Sequence, residues 1–241
     1  MPNIQLEKVR FQNHEKVLLS EINLRISEGE TLFLSGAGES GRSLLLKIMA
    51  GILPPSHGKV LYDGIDLYEA EPDTLKTIKR EIGFSFQVDG LLSNLTVEEN
   101  ILLPVRFFEP DEIEVYESNI RDLLHYFSLS DTWQKRPAEL SMQKKKVLVF
   151  IRSIIMNPKV LFLDDPFFGL DRYYQVKLLE YVKHVNQSGL TLVIVSNSED
   201  LMLELADKIL YFRNGKIERE LNKEQITQDT LTRMGLMFIG A

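Results

Sequence analysis

The alternation of short β-rich runs with helical stretches along the chain predicts an α/β domain with a largely parallel sheet. Residues 161–163 and 192–195 consist of Val, Leu, Ile and Phe only, as expected for strands that are buried on both faces. A further β-rich run, residues 31–35, leads into a glycine-rich turn and an apolar helix. These observations together predict a buried sheet whose strands are connected by helices.

The individual elements follow from the same patterns. The predicted strands are residues 31–35, 59–62, 82–86, 160–163 and 191–195, and helices are predicted over 43–50 and 173–185. Between residues 87 and 158 the periodicity is helical, over 97–107, 113–127 and 141–156, which predicts a helical insertion in the α/β core. The C-terminal part predicts a hairpin, 208–213 and 216–220, around Asn214 and Gly215, and then a polar helix with an apolar end at 234–239.

Composition excludes several classes of protein. A chain of 241 residues with 44% apolar and 26% charged residues fits one large or two small folded domains, not a disordered or collagen-like chain. The formal charge of −7 disfavours a general nucleic-acid-binding surface. Without cysteine, disulfides, thiolate nucleophiles and Cys-type zinc or iron–sulfur sites are excluded. No leader or membrane-spanning run is recognisable, so we expect a soluble chain that reaches membranes through a partner or a surface patch.

The turn after the first of these strands has the features of a phosphate-binding loop. It consists of Gly36, Ala37, Gly38, Glu39, Ser40, Gly41, Arg42 and Ser43. Glycines allow backbone N–H groups to turn toward an anion, and the following helix N-terminus adds partial positive charge. Ser43 would place a hydroxyl on Mg²⁺, whereas Arg42 occupies the usual lysine position with a planar, longer side chain. Taken alone, the motif is equally compatible with an ordinary tight strand-to-helix connection.

Two adjacent carboxylates follow the apolar run 160–163. Charge at the end of a buried strand is costly without a partner, and Mg²⁺ is the natural partner here. Asp164 would hold the metal, and Asp165 would address an attacking water. The alternative is an aspartate that caps the turn at Pro166, which is less favoured once the glycine loop is counted. Asp171, further on, is itself a typical helix N-cap.

In this order and spacing the motifs resemble the nucleotide-binding subunits of ABC (ATP-binding cassette) transporters over nearly the whole chain. The resemblance implies that Phe11 stacks on adenine and that Gln87 senses Mg²⁺ and the membrane partner. It also implies that 137–144 is the signature motif, in which Ser141 contacts the γ-phosphate bound by a partner cassette. Arg152 and Pro158 also stand in the usual places. The alternative interpretations are a core aromatic for Phe11 and a surface polar residue for Gln87.

The resemblance also implies a fold and a domain organisation. We expect a P-loop NTPase fold of ABC type with a mixed or parallel sheet core, an inserted helical subdomain and an N-terminal antiparallel β part. The chain is then a single cassette, residues 1–241, with an α/β core from 1–87 and 158–241 and a helical subdomain from 88–157. The implied cofactors are ATP and Mg²⁺, with Ser43, Gln87 and Asp164 as metal ligands.

Several departures from the family pattern fall at positions that do chemistry. Arg42 replaces lysine, Asp165 replaces glutamate, and Asn197 replaces the switch histidine, although asparagine can still donate a hydrogen bond to a γ-phosphate. Met142 and Gln143 replace the two glycines of the signature. The catalytic positions are thus Asp165, Asn197 and Gln87, and we expect ATP binding with slow or absent hydrolysis.

The resemblance implies two kinds of partner, an integral membrane permease and a second cassette in a homodimer or heterodimer, on the cytoplasmic face of the inner or plasma membrane. A non-catalytic regulatory or scaffolding cassette is the alternative function, and family members that act on DNA or ribosomes fit the acidic chain less well. The turn at 165–171 resembles the ATPases of Mce/Mla-type phospholipid transport systems, which suggests lipid transport.

Overall fold

A computed structural model describes residues 3–87 and 90–239, with side chains described as far as residue 233. The strands are β1 (Ile4–Asn13), β2 (Lys16–Ile26), β3 (Thr31–Gly36), β4 (His57–Tyr62), β5 (Ile65–Asp66), β6 (Ile82–Ser85), β7 (Val160–Asp164), β8 (Thr191–Val195), β9 (Lys208–Arg213) and β10 (Lys216–Asn222). The α-helices are α1 (Arg42–Met49), α2 (Pro72–Arg80), α3 (Val97–Phe108), α4 (Ile113–Tyr126), α5 (Met142–Ile154), α6 (Arg172–Gln187), α7 (Glu199–Leu205) and α8 (Gln228–Ile239). Short 3₁₀ turns connect several of them.

The strands form two sheets. The larger has six strands in the order β10-β9-β3-β8-β7-β6, parallel from β9 to β6, with β10 added antiparallel through a hairpin. The smaller is antiparallel, with four strands in the order β2-β1-β4-β5. The predicted fold class, a mixed or parallel sheet with helices and an N-terminal antiparallel β part, is therefore confirmed.

The centre of the larger sheet positions the candidate site. Every residue of β3, β7 and β8 is buried, as the apolar runs 161–163 and 192–195 predict for β7 and β8. In the parallel register Leu34 pairs with Val195, and Leu163 pairs with Ile194. Because these strands run in the same direction, the segments that follow them meet at one edge of the sheet. The glycine loop, the two adjacent carboxylates and Asn197 therefore converge.

The segment between β6 and β7 is helical in its described part, as the periodicity predicts. Thr96 caps α3 in a reciprocal arrangement with Glu99, and Ser141 caps α5 by accepting a hydrogen bond from the Lys144 amide. The helices pack on a shared core that includes Phe127 and Phe150. This packing holds the start of α5 at a fixed place beside the sheet.

The structure differs from the sequence prediction at element ends and by the elements α2, α7 and β5, which the sequence patterns did not predict. β4 begins at His57, before the predicted residue 59, and β6 ends at Ser85, one residue before the predicted end. α8 was predicted, but the side chains of its apolar end, 234–239, lie outside the described residues. Residues 88 and 89 are also outside them.

Within residues 3–87 and 90–239, no helix is long and apolar enough to span a membrane.

Candidate functional site

The glycine loop has a backbone conformation that a side chain at Gly36 or Gly41 would not allow. Gly36 has φ +141°, and a Cβ there would lie 2.2 Å from the Phe212 carbonyl oxygen. Gly41, the N-cap residue of α1, has φ +98°, and its Cβ would lie 2.7 Å from Leu19 Cδ2. Glu39 also has a positive φ of 58°, a conformation that is uncommon for a residue with a side chain. The loop is therefore held in a strained, compact turn at the start of α1.

This loop meets the structural requirements for binding an anion. The Ser40 hydroxyl is buried and has no hydrogen-bond partner among the described residues. In the same part of the chain no side chain caps the first turn of α1, so its amides stay available to a ligand. A Cβ at Gly38 would meet no atom within 4 Å, so the loop is open on that side. The residues present thus fit a phosphate group.

The first residues of α1 and the end of β7 bring a hydroxyl and a carboxylate together. The Ser43 hydroxyl donates a hydrogen bond of 2.7 Å to Asp164 Oδ1. Asp164 is only 4% exposed. Mg²⁺ binds through one or two protein oxygens together with phosphate oxygens and water, and this pair offers such oxygens directly below the loop. The donor set therefore fits Mg²⁺ bound together with a phosphate.

Asp165 occupies an unusual position after β7. Its φ is +47°, and its amide donates to the Val195 carbonyl at 3.0 Å. Burial raises the pKa of its carboxyl group, an effect opposed by the charges of Lys146 and Arg42. The Gln87 side-chain amide approaches Asp165 Oδ2 at 3.5 Å, a distance at the limit of a hydrogen bond. Gln87 and Asp165 are thus neighbours.

The raised pKa of Asp165 predicts a pH dependence of stability. A carboxyl group whose pKa is higher in the folded than in the unfolded state binds its proton more readily when folded, so stability falls as pH rises through that pKa. We expect Asp165→Asn to increase the free energy of unfolding at pH 7, because the neutral amide avoids the cost of a buried charge. The gain should vanish below about pH 4, where the unfolded carboxyl group is also protonated. Urea unfolding across this pH range measures it, and a gain independent of pH would contradict the explanation.

Arg42 and Asn197 contact each other across the edge of the sheet. Arg42 Nη1 donates to Asn197 Oδ1 at 2.7 Å, and Nη2 donates to the Ala37 carbonyl at 3.3 Å. Asn197 Oδ1 also accepts from the Ser35 hydroxyl at 2.9 Å and from the Gly36 amide at 3.1 Å. Burial lowers the pKa of Arg42, and the charges of Asp165 and Asp164 oppose that shift. The sequence analysis predicts both residues at the site but not this contact.

Lys146 is a residue that the sequence analysis missed. From sequence, the three lysines at 144–146 predict a solvent-exposed helix face, and for Lys146 this prediction is wrong. Its ammonium group donates to the carbonyl oxygens of Asp165 at 2.7 Å and Phe168 at 2.6 Å, and lies over the Phe168 ring. One sequence feature could have identified Lys146 as part of the site. It directly precedes the buried stretch of α5 that starts at Val147, so it lies at the border of the buried face of the helix.

These contacts predict that Lys146 stabilises the turn that carries Asp165. We expect Lys146→Met to lower the free energy of unfolding by about 1–3 kcal/mol, since two hydrogen bonds from a charged donor are lost. Lys145→Met is the matched control from the same trio and should change it by less than about 0.5 kcal/mol. Equal effects of the two substitutions in urea unfolding would contradict the prediction.

Phe11 and Ser141 are the two remaining predicted site residues. Phe11, in β1, is half-buried against the core and pairs with Leu19, whose side chain fills the space that a Cβ at Gly41 would need. Ser141 is exposed and serves as the cap of α5. None of the contacts described above joins Ser141 to the loop of its own chain.

Comparison with known proteins places this geometry in a family. The family model described as "ABC transporter" matches residues 19–168. A sulfate/thiosulfate import ATP-binding protein, CysA, of Synechocystis is 30% identical over 99% of this chain, and a methionine import ATP-binding protein, MetN, of Vibrio vulnificus is 27% identical over 98%. This chain spans 66% and 69% of their respective lengths.

A solved structure agrees with these sequence matches. The dimeric bacterial ABC transporter cassette MJ0796 is 28% identical, with a TM-score of 0.83 over 91% of this chain and 98% of that chain. The same cassette is also known as a dimer in a post-hydrolysis state bound to ADP and phosphate. The family match, the shared fold and the phosphate loop with its paired Ser43 and Asp164 agree, and the chain belongs to the ATP-binding cassettes of the ABC transporter family.

Proposed function

We propose that this chain is a transporter cassette whose phosphate loop binds Mg-ATP and whose hydrolysis step is slow. The observation that carries the proposal is the contact between Ser43 and Asp164 directly below the loop. Ser43 and Asp164 would hold a divalent ion at this place, because Mg²⁺ prefers hydroxyl and carboxylate oxygens as ligands. When bound, the ion neutralises phosphate charge, and the loop amides, the Ser40 hydroxyl and Arg42 supply donors to the phosphates.

We assign the other site residues by position. Gln87 would complete the magnesium ligands with Ser43 and Asp164, and Phe11 would stack on the adenine. Gly36, Ala37, Gly38, Glu39, Ser40 and Gly41 would surround the phosphates with their backbone amides. Asp165 would orient the attacking water, and Ser141 would contact the nucleotide of a partner cassette. The exposed place of Ser141, away from the loop of its own chain, agrees with a site completed by a second subunit.

The slow chemistry that we propose rests on Asp165. Its side chain is one methylene shorter than glutamate, and its backbone is in the left-handed region with φ +47°. A base or orienting group must be placed to within a fraction of an ångström to be effective. The signature segment of this chain would face the nucleotide of a partner cassette. There Met142 is 60% exposed, at a position where glycine would let the backbone approach that nucleotide's phosphate.

The names of the relatives support a proposal about the assembly in which the chain works. Those relatives are named as import ATP-binding proteins, so we propose an importer-type assembly in which the chain pairs with a membrane permease and a second cassette. The single-cassette organisation, with a helical subdomain at 88–157, belongs to the same proposal. Lipid transport stays a prediction from the turn at 165–171, because the relatives named above carry sulfate, thiosulfate or methionine in their names.

Steady-state hydrolysis tests the proposal. At saturating Mg-ATP we expect the chain to turn over far more slowly than an active cassette of the same family in the same assay. A rate equal to that of the active cassette would contradict slow chemistry. A purely scaffolding role is less favoured, because the loop is open at Gly38 and has a buried Ser40 hydroxyl without a partner in the described part of the chain.

A further inference from the structure

Asn197 contacts the phosphate loop through both the oxygen and the nitrogen of its side-chain amide. Its carbonyl oxygen accepts from the Ser35 hydroxyl, the Gly36 amide and Arg42, and its amide nitrogen donates to the Gly36 carbonyl at 3.1 Å. A side-chain carbonyl oxygen has two lone pairs, so three donors leave it no further capacity. The oxygen is thus committed to the loop of its own chain, and one N–H of the amide remains beyond these bonds.

The same contacts fix the direction of Arg42. One terminal nitrogen is held by Asn197 and the other by the Ala37 carbonyl, so the planar guanidinium is attached at two points. A guanidinium has five N–H donors, and these two bonds leave three for another anion. Arg42 can therefore remain held by Asn197 while it contacts a phosphate.

We propose that Asn197 is a positioning residue for Arg42, and that the two act as a unit in nucleotide binding. This inference rests on the proposed ATP-binding function and assigns Asn197 a role other than a direct contact to the γ-phosphate. A lysine side chain ends one bond earlier than the terminal nitrogens of arginine and would not reach Asn197 in the same way. Asparagine at 197 is thus matched to arginine at 42.

The matched pair explains why histidine at 197 would not serve this chain. A neutral imidazole offers one acceptor nitrogen in place of an oxygen that accepts three hydrogen bonds here, and a protonated imidazole offers none. It would also place a positive charge against Arg42. We expect Asn197→His alone to weaken nucleotide binding, more strongly as pH falls through the histidine pKa.

A double-mutant cycle tests the inference. The four proteins are the unchanged chain, Arg42→Met, Asn197→Ala and the double variant, each titrated with Mg-ATP by calorimetry. Loss of a charge-assisted contact predicts that Arg42→Met weakens binding at least about tenfold when Asn197 is present. In the Asn197→Ala background the same substitution should have a much smaller effect. Equal effects in both backgrounds, as expected if Asn197 contacts the γ-phosphate by itself, would overturn the inference.

A second readout needs no nucleotide. Because the contact exists in the protein alone, the shifts in urea midpoint caused by the two single substitutions should exceed, when added, the shift of the double variant. Additive shifts would overturn the inference even if ATP binds. Failure of the unchanged chain to bind ATP would contradict the proposed function instead, and the urea cycle would still report on the pair.

Asn197→Asp provides a second background for the experiment in case Asn197→Ala does not fold. It keeps an acceptor oxygen for Ser35, Gly36 and Arg42, whereas its added negative charge lowers the affinity for ATP. The inference predicts that Arg42→Met still weakens binding at least about tenfold in this background, since the guanidinium remains held. Loss of the Arg42 effect in Asn197→Asp would overturn the inference.

Discussion

Combined replacement of Arg42 by Lys, Asp165 by Glu and Asn197 by His is expected to raise ATP turnover by about 10–100-fold, because misplacement of a reacting group by about 1 Å can cost that much. Glu at 165 restores the reach toward the attacking water. The exchanges at 42 and 197 are made together, since these residues contact each other in the present chain. Turnover at saturating Mg-ATP measures the effect.

The control for the triple variant is Asp165→Glu by itself. We expect it to recover part of the rate, because Arg42 and Asn197 remain matched to each other. Asn197→His as a single substitution should lower the affinity for nucleotide instead. A triple variant that binds ATP with unchanged affinity and still does not hydrolyse it would contradict the explanation and favour a scaffolding cassette.

The second large effect concerns the metal. We expect Mg²⁺ to strengthen ATP binding by the unchanged chain at least about tenfold, because an ion between Asp164 and the phosphates replaces repulsion by coordination. Asp164→Asn should remove most of this dependence. In the presence of a chelator the same variant should bind ATP at least as well as the unchanged chain, because one negative charge near the phosphates is gone.

Asp171→Asn is the matched control for this experiment. Asp171 is an exposed carboxylate that caps α6 by accepting from the Tyr174 amide, and asparagine is an equally good cap. This variant should keep the full Mg²⁺ dependence. If Asp164→Asn also keeps it, Asp164 is not a ligand of the metal.

The strands and helices that carry the site could be predicted because their sequences follow simple periodic rules. β7 and β8 are continuous apolar runs, and α5 begins at a serine with a strong capping preference. The convergence of the glycine loop with Asp164 then follows from parallel strand order. The N-terminal antiparallel sheet came only from the family resemblance, since β1 and β2 alternate irregularly, with several register shifts between them.

Other parts of the site depend on contacts between distant segments that periodicity does not encode. Arg42 and Asn197 are far apart in sequence, and each could reach a phosphate or another side chain with equal chemical plausibility. Lys146 belongs to a basic trio whose members look alike in sequence, although its ammonium group bonds to the turn after β7. Only the packing of α5 against that turn distinguishes it from its neighbours.

Equilibrium binding of Mg-ATP to the purified chain, measured by calorimetry beside Arg42→Met, tests the central claim most directly. We expect saturable binding at one site per chain, weakened at least about tenfold in the variant, because the guanidinium supplies charge-assisted donors to the phosphates. A folded chain that shows no binding at millimolar Mg-ATP would contradict the claim that the loop of Gly36 and Ser43 is a working nucleotide site.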